Sequence, residues 1–198
     1  MTDQPNGVAG MGMPSRRRLL GGLVASLAVI AAGPVLAARP TLAVVAEGQP
    51  DRRLHLHNVN TLETIDVAYF RDGRYQPDAL QQLSRFLRDY RSGRVARMDP
   101  GLYDYLHDVQ AAVRLDDAQP TRIISAYRAP ETNRARRSRD RSVARDSYHT
   151  RGQAFDVVLP DRDLLAVRAV AVKLERGGVG AYPRAGFLHL DVGPARTW

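Results

Sequence analysis

The order of hydrophobic patterns in residues 51–198 is the feature that most constrains the fold. Residues 53–58 alternate polar and apolar side chains with a period of two, which is typical of a half-buried strand. The run from Pro77 to Tyr90 instead repeats its apolar side chains at helical spacing, and it stops at Ser92 and Gly93. Because segments of both kinds alternate along the chain, the sequence predicts helices packed against a sheet.

The rest of the chain continues this mixture. The predicted elements are a second strand approached through residues 60–65, a helix from Asp99 to about Asp116, strands at 121–126, 154–159 and 186–192, a short helix and surface loop within 131–147, and a helix from a cap at Asp161 or Asp163 to Gly177. Their number and order predict a small single α+β domain, in which a mainly antiparallel sheet carries helices on one face.

Residues 1–37 carry the features of an export signal. Arg16 and Arg17 precede an uncharged apolar run from Leu19 to about Ala32, and residues 35–37 provide a small-residue cleavage pattern. The paired arginines resemble a twin-arginine signal. The run is shorter than the ~20 residues of a membrane span, so we expect cleavage near Ala38 and no stable membrane anchor afterwards. This pattern predicts a periplasmic protein exported by the twin-arginine route.

The mature chain is expected to consist of a linker at residues 38–50 and one domain at residues 51–198. The full 198-residue chain has a formal net charge of +8, which favours an anionic partner: a cell-wall polymer, a membrane surface or a nucleic acid. The nucleic acid is the weakest of these, because an exported protein seldom meets one and the arginine-rich stretch 134–145 has few interleaved aromatic residues. We therefore expect no nucleic-acid partner.

The chain contains no cysteine, so any metal site must use nitrogen and oxygen ligands. Two of the five histidines have nearby carboxylates. His149 precedes Gly152 and Asp156, and Asp156 falls on the strand expected from Ala154. His189 and Asp191 are two residues apart on the last strand, so both project from one face of it. If the two strands are close, His149, Asp156 and His189 form a three-ligand zinc site with one open position; the alternative is an ordinary loop hydrogen bond.

The order of these motifs resembles a known family. Ser125, Ala126, Tyr127 and Arg128 are followed by Asn133, then by His149-x-x-Gly152-x-Ala154-x-Asp156, then by His189-x-Asp191. This set resembles the zinc D-Ala-D-Ala peptidase superfamily. The stretch from Gly177 to Pro194, closing on Trp198, is most similar to its murein endopeptidase K branch. The resemblance covers roughly the whole mature domain and implies a fold like that of the D-Ala-D-Ala peptidases and hedgehog proteins, with zinc on the sheet.

The resemblance also implies roles for individual residues. It implies one Zn²⁺ ion on His149, Asp156 and His189, where it activates water for attack on an amide. It implies a cationic Arg128 near the scissile carbonyl, holding either the developing oxyanion or a substrate carboxylate. Tyr127 is expected beside the substrate or as a packing residue, and Asn133 as a cap or loop stabiliser.

The family's dipeptidase branch has a glutamate as general base three residues before the last histidine, and this chain has Gly186 there. Asp191 is the best replacement, since it shares a face with His189. Its alternative role is to orient His189 or Arg128 through a hydrogen bond.

Two functions from different classes follow. The leading one is a periplasmic zinc peptidase that cuts the peptide cross-links of peptidoglycan, whose peptide stems are then its partner. The other is a non-catalytic binder of cell-wall peptides with the same fold, which the missing glutamate would explain.

Overall fold

The structure, a computed structural model, describes residues 49–116 and 118–198. The predicted signal (1–37) and most of the predicted linker (38–50) lie outside these residues, so both stay predictions. Within the described ranges, no helix combines the length and the apolar character needed to cross a membrane.

One mixed sheet organises the described residues. Its strands are β1 (Arg52–Asn58), β2 (Thr64–Arg71), β3 (Arg74–Tyr75), β4 (Thr121–Ser125), β5 (Ala154–Val158), β6 (Gly178–Tyr182), β7 (Phe187–Asp191) and β8 (Arg196–Thr197). They lie in the order β3-β2-β1-β4-β5-β7-β6-β8. Only the β1–β4 and β6–β8 pairs are parallel, so the described sheet is mainly antiparallel, as the sequence predicts.

Four α-helices accompany the sheet in the described part of the chain. They are α1 (Pro77–Phe86), α2 (Pro100–Ala112), α3 (Pro130–Arg139) and α4 (Leu164–Lys173). Asp99 caps α2 by accepting a hydrogen bond from the backbone N–H of Gly101, and Pro100 occupies its first turn, where a missing N–H is harmless. Asp163, one of the two expected caps, accepts from the N–H of Ala166 and begins α4. The α+β class is therefore confirmed.

The hydrophobic core joins one face of the sheet to three of the helices. Alternate residues of β1, β5 and β7 are buried there, among them Leu54, Phe155 and Leu188. Helices α1, α2 and α4 cover this face, and the Tyr105 hydroxyl of α2 donates to the carbonyl of Ala171 in α4 at 2.9 Å. Because successive side chains of a strand point to opposite faces, the intervening residues of β5 and β7 face away from this core.

Strand β6 is the main element that the sequence analysis missed. Gly177 and Gly178 suggest the end of the preceding helix, but Gly178 begins β6, and the two glycines of this strand, Gly178 and Gly180, are required by close packing. A Cβ on Gly180 would lie 2.4 Å from the ring of Trp198, and one on Gly178 would lie 2.5 Å from atoms of Asp191 and Arg196. These glycines let Trp198 and Arg196 lie directly against the sheet.

The loop after α1 is tied to the segment that carries Arg128. The buried Asp89 carboxylate accepts hydrogen bonds from the backbone N–H groups of Arg91 and Ala129, both at 2.9 Å. Burial raises the pKa of Asp89, but hydrogen bonds from the Thr132 hydroxyl and these two N–H groups outweigh it, and the net pKa lies below the ordinary value. Asp89 therefore stabilises the fold in its ionised form.

We expect Asp89→Asn to destabilise the domain by about 1–3 kcal/mol, because the amide cannot accept at both positions and leaves a buried N–H unpaired. A depressed pKa places the stabilisation above the unfolded value of about 3.9, and it is lost as the pH falls through the folded value. Urea unfolding between pH 3 and 7 should therefore show a steeper acid loss in the wild type than in the variant. Equal slopes would contradict the role of Asp89.

Candidate metal centre

Asp156 and His189 meet because β5 and β7 are neighbours. The two residues are directly paired in the antiparallel register. Phe155, Val157, Leu188 and Leu190 flank them and lie in the core, so Asp156 and His189 project from the opposite face of the sheet. His189 Nδ1 lies 2.9 Å from Asp156 Oδ1.

His149 reaches the same point from a tight turn. It lies in the 3₁₀ turn Tyr148–Arg151, which ends at Gly152 with φ of 69°. A Cβ on Gly152 would also lie 2.5 Å from the carbonyl oxygen of Arg97. Both the positive φ and the lack of space therefore require glycine at this position. His149 Nδ1 is 2.7 Å from the carbonyl oxygen of Ala126, and since a carbonyl only accepts, Nδ1 carries the proton. Nε2 faces Asp156 Oδ1 at 3.3 Å, and in the neutral ring it is the unprotonated nitrogen that can bind a metal.

The three predicted ligands form a compact and buried cluster. One ligating atom from each of His149, Asp156 and His189 lies within 4.8 Å of the other two, and the residues are only 3%, 6% and 8% exposed. Ligands of a tetrahedral ion, each about 2.1 Å from it, lie about 3.4 Å apart. The observed separations of 2.9 and 3.3 Å are close to that value. The donor set of two imidazoles and one carboxylate thus fits a zinc ion.

The ionisation of the cluster suits metal binding. Burial lowers the pKa of His149, which favours the neutral, ligating form. Burial raises the pKa of Asp156, but the two histidines outweigh it and hold the net pKa well below the ordinary range. Burial lowers the pKa of His189, but hydrogen bonds with Asp156 and Asp191 outweigh it and raise the net value. A cation would displace the proton of His189 Nδ1, so acid weakens binding.

Asp191 lies on the far side of His189 from Asp156. Its Oδ2 is 2.9 Å from His189 Nε2, and the side chain is fully buried. Its oxygens also accept hydrogen bonds from the backbone N–H of Gly193 at 2.8 Å and from Arg196. With its oxygens held by these donors and a histidine ring between it and the cluster, Asp191 is placed to orient His189.

Arg128 is a buried cation beside the cluster. Only 6% of the residue is exposed, and Nη1 donates to Asn133 Oδ1 at 3.1 Å. No carboxylate among the described residues forms an ion pair with it. Burial and the neighbouring Arg136 lower its pKa, while Asp156 raises it. A buried guanidinium without an ion-pair partner is suited to an anionic group of a ligand.

A cleft of about 720 Å³ opens over the cluster. It is lined by all three predicted ligands and Arg128, together with side chains that the sequence analysis did not assign to the site: Arg136, Tyr148, Tyr182, Phe187, Arg196 and Trp198. Tyr127 is not among the lining residues, and its side chain lies in the hydrophobic core. The local signal for the missed residues was weak, because neither an aromatic residue near a turn or strand end nor a single arginine in an arginine-rich chain has a diagnostic spacing.

Comparison with known proteins identifies the family of this chain. The family model described as peptidoglycan L,D-endopeptidase MepK matches residues 46–198. The protein named peptidoglycan L,D-endopeptidase MepK in Escherichia coli K12 is 40% identical over 185 residues, which cover 93% of this chain and 97% of that protein.

A second relative, from Haemophilus influenzae, is named probable peptidoglycan L,D-endopeptidase MepK. It is 36% identical over 173 residues, covering 87% of this chain and 92% of the relative. No solved structure matches the chain. The family-model match and the 40% identity confirm the resemblance drawn from the motifs: the chain belongs to the MepK family of peptidoglycan L,D-endopeptidases.

Proposed function

We propose that this protein is a zinc-dependent peptidase of the periplasm that hydrolyses L,D-peptide bonds in peptidoglycan. The observation that carries the proposal is the convergence of His149, Asp156 and His189 at the floor of a cleft, in a chain whose relatives are named as L,D-endopeptidases. The alternative of a non-catalytic binder gains no support, since those names describe enzymes.

The three buried ligands would hold the ion, and Asp191 would keep His189 in the ligating orientation. When bound, zinc supplies the Lewis acidity that polarises a carbonyl and activates water. Arg128 would stabilise the negative charge that develops on the scissile carbonyl, or bind a carboxylate of the stem. We assign Asp191 to orientation and not to proton abstraction, because its oxygens are held by other donors behind the His189 ring. Tyr127, being in the core, is assigned to packing.

The positive charge of the chain supports a substrate rich in carboxylates. Arg128 and Arg136 line the cleft, and Arg134, Arg137 and Arg139 are exposed on α3 nearby in sequence. Peptide stems of peptidoglycan carry free carboxylates, which such a surface attracts over a Debye length of about 8–10 Å. Cleavage of stems also agrees with the predicted export signal.

The bond type gives a sharp test. Two kinds of peptide cross-link are considered. The bond from D-Ala to diaminopimelate joins two D centres, whereas the bond between two diaminopimelate residues joins an L centre to a D centre. We expect the purified protein to convert diaminopimelate-linked muropeptide dimers to monomers and to leave D-Ala-linked dimers intact. Mass spectrometry of the products, with zinc measured on the same sample, checks this. Cleavage of only the D-Ala-linked dimer, or digestion that survives a chelator, would contradict the proposal.

A further inference from the structure

Arg196 begins a series of side-chain contacts that ends at the three candidate metal ligands. Its Nη1 and Nη2 donate to the two oxygens of Asp191 at 3.0 and 2.6 Å, a bidentate ion pair. Asp191 Oδ2 in turn lies 2.9 Å from His189 Nε2, and the other ring nitrogen of His189 faces Asp156. The carboxylate behind His189 is therefore fixed at both oxygens by one guanidinium.

The Arg196 side chain is itself held from several sides. Nη1 also donates to the carbonyl oxygen of Pro194 at 3.0 Å. The guanidinium carbon lies 4.9 Å from the ring centroid of Tyr148 and 5.1 Å from that of Trp198, which is cation–π range for both. Tyr148 directly precedes the ligand His149, and the Trp198 ring lies 5.2 Å from the His189 ring. Arg196 thus touches the surroundings of two ligands.

The neighbouring backbone leaves little space for Arg196 to move. A Cβ on Gly178 would lie 2.5 Å from Arg196 Nη1 and from Asp191 Oδ2, and a Cβ on Gly193 would overlap the Tyr148 ring. The pair between Arg196 and Asp191 accordingly packs directly against Gly178, while Tyr148, which contacts the Arg196 guanidinium, packs against Gly193. An arrangement of this kind fixes the geometry more firmly than a solvent-exposed ion pair, even though the Arg196 side chain is 39% exposed.

We propose that Arg196 is a positioning residue for the metal, acting through Asp191 on His189. This inference rests on the proposed zinc site. By holding both oxygens of Asp191, Arg196 keeps one of them aimed at His189 Nε2, so that Nε2 donates and Nδ1 stays directed at Asp156 for the ion. A planar fork is needed for this, since a lysine ammonium can hold only a single point of the carboxylate.

The test is zinc affinity, measured by competition with a chromophoric chelator. We expect Arg196→Gln to weaken zinc binding by about 10–100-fold, the usual effect of losing a residue that orients a metal ligand, and Arg196→Lys to fall between it and the wild type. Arg184→Gln removes an exposed arginine from the β6–β7 turn and serves as the matched control. Circular dichroism of the metal-free proteins shows whether each variant folds; if the Gln variant does not, the Lys variant decides the question.

A double-mutant cycle separates positioning from a general effect on stability. If Arg196 acts through Asp191, the double variant Arg196→Gln/Asp191→Asn should bind zinc about as weakly as Asp191→Asn alone. If the losses of zinc affinity in the two single variants add up in the double variant, the inference is overturned. It is also overturned if Arg196→Gln binds zinc within twofold of wild type and has a raised KM, since that would indicate direct contact with the substrate. In either case a wild type that binds zinc and cleaves muropeptides leaves the proposed function standing. A wild type that takes up no zinc would overturn both.

Discussion

His149→Ala is expected to abolish zinc uptake and to reduce peptidoglycan cleavage by at least about a thousandfold, or about 4 kcal/mol in the transition state. The variant removes one of three buried ligands and leaves Asp156 and His189 alone, an incomplete set for a catalytic zinc site. It also removes the hydrogen bond that Nδ1 makes to the carbonyl of Ala126. Metal analysis and muropeptide mass spectrometry on the same preparation check the two effects together.

His57→Ala is the matched control, because His57 lies in β1, away from the cluster, and its Nδ1 contacts the Thr64 hydroxyl. It should keep both zinc and activity. Asp156→Asn is a second test that nearly preserves side-chain volume, and it should lose zinc even where the fold is intact. Full activity in zinc-free His149→Ala protein would contradict the proposed metal centre.

Arg128→Met is expected to lower kcat by about 10²–10³, equivalent to about 2.7–4 kcal/mol, while zinc content stays at the wild-type level. The reason is that Arg128 lies beside the cluster without an ion-pair partner among the described residues, so its charge is available to the substrate. Removing such a buried charge relieves its desolvation. We therefore expect the free energy of unfolding to stay within about 1 kcal/mol of the wild type or to rise, although Asn133 Oδ1 loses a donor.

Steady-state kinetics and thermal unfolding check this second prediction. A fall in kcat indicates that Arg128 stabilises the oxyanion, whereas a rise in KM with kcat unchanged indicates that it binds a stem carboxylate. Arg136→Met is the control, since Arg136 lines the same cleft and is less buried. Equal losses in the two variants would show that the total charge of the cleft matters and not the position of Arg128.

Local sequence patterns were sufficient for most elements of the fold. The polar and apolar alternation around His189 predicts β7 and its two faces, and Asp99 with Pro100 predicts the start of α2. Boundaries were less accurate: α1 ends at Phe86 and not near Tyr90, and α2 ends at Ala112, because apolar residues continue past each helix into a packed loop. β6 was missed because its glycines serve a close approach that involves residues distant in sequence.

The sequence by itself determined which residues could bind a metal, because histidine and carboxylate chemistry and the order of the motifs are local properties. Only the tertiary structure decided how these residues meet: that β5 pairs with β7, that His189 presents Nδ1 to Asp156, and that Asp191 and Arg196 lie behind it. The physical reason is that a strand's periodicity specifies which face a side chain occupies but not which strand lies beside it. Strand pairing, and the hydrogen bonds that orient each ring, depend on contacts between residues far apart in the chain.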